Sequence, residues 1–150
     1  MAFEAGTDGP KVIVVGVDGS DSSWRAAAYA TGLARRQGAL LTLVYVQPVY
    51  ALAATAGVPL TTDEADAATA DQICGQVRAA LASMTEIQGL RWEFRSVPRV
   101  DVVTGLSKVA DEVRADAVVI GASRSLGHRI LGSAAVRLVK AGRWPVTVVP

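Results

Sequence analysis

The 150-residue chain has a single cysteine, a single histidine and only 5% aromatic residues. A lone Cys74 cannot close an intrachain disulfide, and without a cysteine pair or histidine cluster the chain offers no metal-ligand spacing; this excludes a zinc site and fits a reducing cytoplasm. Few aromatics beside 51% hydrophobic residues, chiefly alanine, valine and leucine, fit helices packed on a buried sheet better than a sandwich or barrel. Net charge is also nearly absent, at +1, which disfavours a nucleic-acid binder that relies on a strong positive field. The opening MAFEAGTDGPK lacks the basic region and apolar run of a secretory signal. Residues 1–10 read as a flexible tail and 11–150 as one domain, of the size at which a single core forms.

Two further absences are local. Gln37 to Thr62 carries no charge and is long enough to cross a bilayer, yet Gln47, Pro48, Gly57, Pro59 and several threonines interrupt it. It reads as a buried strand followed by a mobile apolar loop, not a membrane span. Residues 117–150 carry no acid but five bases, Arg124, Arg129, Arg137, Lys140 and Arg143, while residues 1–116 carry ten bases and fourteen acids. Arg137, Lys140 and Arg143 are expected late in a helix, where positive charge suits the negative end of the macrodipole.

Apolar periodicity predicts a strand at Lys11–Val17, a helix at Asp21–Gln37, a strand at Ala39–Val46 and a helix from Asp63 to about Ile87. A strand at Arg91–Val97, a helix at Val102–Arg114, a strand at Ala117–Ile120, a helix at Ser133–Ala141 and a strand at Val146–Val149 follow. KVIVVGV, ALLTLVYV, DAVVIG and PVTVVP are nearly continuous apolar runs, as in a parallel sheet covered on both faces. RWEFRSV alternates and reads as an edge strand. Trp24, Tyr29 and Leu33, and likewise Val136 and Val139, recur at helical spacing and are expected to face the sheet. Trp144, before Pro145, is expected to be a buried anchor. The three tryptophans are scattered and not interleaved with bases, so they read as packing and not as a base-stacking platform.

In an open parallel sheet, ligands bind beyond the carboxyl ends of the strands where the winding reverses. Two segments matter there. VGVDGSDSS puts Asp18 at the end of the first strand and Ser20, Asp21 and Ser22 where a helix N-cap belongs. VVIGASRSLGHRILGSAAVRLV, Val118 to Val139, passes from a strand through glycines and bases into a helix. Gly121 lets the backbone leave the strand without a Cβ, and Gly132-Ser133 opens a helix whose free N–H groups suit an anion, with Ser133 able to cap it or bind phosphate.

VVGVDGSDSS, DAVVIGAS…GHRILGSAAVRLV and the ending PVTVVP together resemble the universal stress protein family, across essentially the whole chain. The resemblance implies a three-layer α/β/α, Rossmann-like open parallel sheet of five strands in the order 3-2-1-4-5, of the adenine nucleotide alpha hydrolase type. It also implies a cytoplasmic homodimer, formed through Val146–Val149, that binds ATP or another adenine nucleotide, with Mg2+ a candidate companion, and that takes part in stress response without catalysis. By position it puts Val17, Asp18 and Val46 around adenine, Ile120 and Gly121 near ribose, and Gly121, Gly132, Ser133 and Ala134 around phosphate.

The ATP-binding pattern of that family, Gly-x-x-Gly, nine residues, then Gly-Ser or Gly-Thr, is altered here. Arg124 stands at the second glycine, and seven residues, Ser125 to Leu131, separate it from Gly132. Arg124, His128 and Arg129 either supply charge to phosphate, form a solvated basic loop, or meet acids across a dimer interface. Two rival readings remain. Gly19-Ser20-Asp21-Ser22 echoes part of a pyrophosphatase loop, but Asp18 stands where that loop has glycine and helix capping explains the serines better. Alternatively the domain is a homodimeric interaction module that has lost its nucleotide.

Overall fold

The computed structural model describes residues 9–47, 63–98, 100–122, 124–125, 128–129 and 132–150. The first eight residues of the expected tail and the expected apolar loop after Gln47 lie outside the described residues. Five parallel strands, β1 (Val12–Gly16), β2 (Leu40–Val46), β3 (Arg91–Val97), β4 (Ala117–Gly121) and β7 (Val146–Val149), form a sheet ordered β3-β2-β1-β4-β7. Taken as five consecutive strands, this is the order 3-2-1-4-5. Two short strands, β5 (Arg124–Ser125) and β6 (His128–Arg129), pair antiparallel as a separate ladder that periodicity did not indicate, because two residues cannot display an alternation.

Four helices connect the strands. α1 (Asp21–Gln37) starts at Ser20, whose side chain accepts the Ser23 N–H, and stops at Gly38, a left-handed residue with φ 63° whose N–H returns to Ala34 O. α2 (Asp63–Gln88) buries Ala70, Ile73, Val77 and Leu81, one residue per turn. α3 (Val102–Glu112) is capped by Asp101, which accepts from Val103 N and Thr104 N. α4 (Ser133–Ala141) begins at Gly132 with no side-chain cap, so Ser133 is the first helical residue and does not cap it.

Alternation along each strand sorts the core into two layers. Ile13, Val15, Leu41, Leu43, Tyr45 and Val119 pack with Ala26, Ala30, Ile73 and Val77 on one face. Val14, Val44, Val46, Val118 and Ile120 pack with Leu106, Val109 and Leu138 on the other. Each fully buried leucine or valine contributes about 1.5–3 kcal/mol, so these layers, and not surface charge, hold the helices to the sheet. β3 is an edge strand, as its alternation predicts, and carries Arg91, Glu93 and Arg95; β7 is the opposite edge. Among the described residues no helix is long and apolar enough to cross a membrane.

Three packing expectations are corrected. Tyr29 is 45% exposed and Val139 is 55% exposed; the core side of α4 is Ala135 and Leu138, one turn apart and buried in the second layer. Trp144 is only partly buried, packed against the second layer with the Arg143 guanidinium 4.4 Å above its ring. The C-terminal bases are not simply macrodipole partners: Arg137 is paired at 2.8 Å with Asp101, and Arg143, beyond the end of α4, is paired with Asp111. Only Lys140 lies in the last turn of α4.

Candidate functional site

β1 pairs with β2 on one side and β4 on the other, so the chain leaves it in one direction and later returns to its opposite edge. The loops after β1 and β4 diverge there, and a cleft of about 510 Å³ opens beyond the strand ends. That is the size of a small-molecule site. Val17, Val44, Val46, Val102, Leu106, Ile120 and Ala134 give it apolar walls, and Asp18, Ser20, Asp21, Ser22 and Ser23 line its polar side. Val102 is 47% exposed although apolar, and its exposed surface belongs to a residue that lines this cleft.

The polar side is set by the turn between β1 and α1. Val17 N donates to Val44 O at 2.9 Å, extending the ladder one residue past the strand. Gly19 then takes φ 86°, a left-handed geometry that glycine adopts without strain. Ser20 N donates to Asp18 Oδ1 at 2.9 Å, and Asp18 N to Ser23 Oγ at 3.3 Å. The buried Ser23 hydroxyl donates in turn to Ser20 O at 2.9 Å. This ring of short-range bonds fixes Asp18 at the cleft mouth. Desolvation there pushes its carboxyl upward, but the hydrogen bonds from Ser20 and Ser23 outweigh it and hold the group below its ordinary range. An ionised carboxylate there can only accept hydrogen bonds.

The cleft unites Val17, Asp18, Val46, Ile120, Gly121 and Ala134 of the residues expected at a site. Gly132 and Ser133 are not among its lining residues, although their neighbour Ala134 is. Arg124 lies in β5, paired with Arg129, and Ser125 is paired with His128; only the backbone of this ladder is described, so the expected side-chain roles of Arg124, His128 and Arg129 lie outside the described residues.

Sequence reading did not single out Val44, Val102 and Leu106, which line the cleft, and preferred helix capping to a ligand role for Ser20, Asp21 and Ser22. The strand and helix apolar patterns concealed the first three, since a residue that walls a cleft has the same spacing as one that fills a core. Among the described residues no cluster of three or more His, Cys, Asp or Glu could hold a metal ion.

The same architecture recurs in solved structures. A protein of the universal stress protein family from Burkholderia pseudomallei is 27% identical, with a TM-score of 0.70 over 93% of this chain and 96% of that one. A universal stress protein from Archaeoglobus fulgidus in complex with dAMP is 27% identical, with a TM-score of 0.63 over 92% and 96%. A universal stress protein in complex with cAMP is 26% identical, with a TM-score of 0.63 over 95% and 98%. No curated protein matches the chain. Residues 10–150 match the Universal stress protein family, nearly the whole length of the chain and all five strands of its sheet, and the protein belongs to that family.

Proposed function

We propose that this protein is a cytoplasmic stress-response regulator that binds an adenine nucleotide in the cleft between the ends of β1 and β4 and performs no catalysis. The observation that carries the reading is Asp18, an acceptor held at the mouth of a cleft with apolar walls. Adenine is a flat apolar ring with an amino donor. Val17, Val46 and Ile120 supply the surface for the ring, and the Asp18 carboxylate accepts from the amino group. Related structures with cAMP and dAMP support this choice of ligand class.

The ribose then lies toward Ile120 and Gly121, and phosphate toward the start of α4, with Gly121, Gly132, Ser133 and Ala134 offering backbone N–H groups. Arg124 is the side chain proposed to meet phosphate where the second glycine of the family pattern is replaced. Mg2+, where it takes part, enters with the phosphates. Occupancy shifts the population of loop conformations around the cleft and thereby the surface that partners read. β7, an edge strand whose four residues are all half-buried, is proposed to pair with its copy across a twofold axis to form a homodimer.

Calorimetry on protein stripped of ligand, titrated with ATP, AMP and cAMP with and without magnesium, tests the reading. Saturable binding of any of them supports it. Absence of binding, with a dimer by sedimentation, leaves the alternative of an interaction module that has lost its nucleotide, which the extended backbone of Arg124 favours.

A further inference from the structure

The glycines inside helices differ in what surrounds them. A Cβ on Gly75 of α2 would meet nothing within 4 Å, and one on Gly32 of α1 would meet only the tip of the Arg36 side chain, at 3.4 Å. Gly105, buried inside α3, is different: its Cβ would stand 2.8 and 2.9 Å from the two methyls of Val46 and 3.2 Å from a methyl of Val100. Its φ is not left-handed, so the backbone does not require glycine there, and helix propensity favours alanine. Rotating Val46 does not clear the space, because its two methyls fill two of three staggered positions and any step of χ1 leaves one of them facing Gly105. An added methyl therefore separates α3 from β2. Val46 lines the cleft from β2, and Val102 and Leu106, on either side of Gly105 in α3, line it opposite.

We infer that Gly105 is a positioning residue of the cleft: by carrying no side chain it seats α3 against Val46 and so sets the spacing between the β2 wall and the α3 wall that hold the base. This rests on the adenine-binding reading above and deepens it. Contact with a flat ring is dispersive and falls steeply with separation, so a wall that backs away loses affinity for the part that every adenine ligand shares.

Calorimetric titration of adenosine, AMP and ATP into the parent, Gly105→Ala, Val46→Ala and the double variant tests it, with thermal unfolding to establish that each is folded. Gly105→Ala should weaken all three ligands alike by roughly three- to tenfold, since a gap of about 0.5–1 Å forfeits roughly a quarter to a half of the contact attraction. With alanine at position 46 the two methyls are gone, and adding Gly105→Ala should change affinity by no more than about twofold. Where Gly105→Ala alone does not fold, this second comparison still decides, because a larger loss there overturns the inference. Parent-like affinity in folded Gly105→Ala, a loss confined to ATP, or an equal loss in both backgrounds also overturns it and leaves the adenine site standing. Failure of the parent to bind any of the three ligands overturns the adenine reading itself, and the inference with it.

Discussion

Gly121, the last residue of β4, lies directly against the backbone of Ser22 in the first turn of α1: a Cβ on Gly121 would stand 2.6 Å from the Ser22 carbonyl carbon and 2.8 Å from Ser23 N. This contact closes one end of the cleft and positions the α1 N-terminus beside it. Neither partner is a flexible side-chain tip, so the obstruction cannot swing away.

Gly121→Ala is therefore expected to destabilise the domain by about 1–3 kcal/mol, the usual range for forcing an extra methyl into a packed site. The denaturant midpoint measures this, and the slope should be unchanged if the fold survives. A variant as stable as the parent would mean that α1 and β4 separate readily, and the cleft would then be adjustable at that end.

Asp18→Ala should weaken adenine nucleotide binding by about tenfold or more, since a hydrogen bond to a charged group contributes roughly 1.5–3 kcal/mol. Asp18→Asn keeps an oxygen for the Ser20 N–H, so it should preserve the turn while losing part of the affinity. Calorimetry on folded variants separates the two effects. Unchanged affinity in Asp18→Ala would remove the residue from the site.

Stability should fall in acid with a contribution from both Asp18 and Asp101. Desolvation works against the Asp18 charge but hydrogen bonds from Ser20 and Ser23 prevail; for Asp101 the Thr104 hydroxyl is the main cause, with Arg137 assisting against slight desolvation. Both carboxyls sit below their ordinary 3.8 when folded, so the unfolded chain binds these protons more readily. Their contribution is complete well above pH 3.8 and is lost as pH falls through the lowered folded values. In urea titrations across that range, the stability difference between the parent and Asp18→Asn should narrow toward acid; a difference that widens would reverse the sign.

Asp101 serves α3 in two ways, accepting the Val103 and Thr104 N–H groups and pairing with Arg137 of α4. Asp101→Ala should cost about 0.5–2 kcal/mol, mostly for the lost cap. Arg137→Ala should cost only about 0–1 kcal/mol, because both members of the pair are half exposed to solvent. Thermal unfolding of the two variants ranks cap against ion pair, and an equal loss in both would assign the effect to the pair.

Much of the architecture was determined by residue pattern alone. Continuous runs such as Val12–Gly16 and Leu40–Val46 announce strands buried on both faces, the alternation of Arg91–Val97 announces an edge, and Asp18 with Ser20 announces a strand end followed by a helix cap. These are local facts: period and capping depend on neighbours in the chain. Tertiary structure decided what depends on distant neighbours. Whether Tyr29 or Ala30 faces the sheet turns on the azimuth at which α1 docks, and whether Val102 fills a core or walls a cleft turns on the empty space beyond β1 and β4. The excess of bases in the last 34 residues disappears in part only because Asp101 and Asp111 are brought to Arg137 and Arg143. Spacing along a chain encodes a face; only packing determines what that face meets.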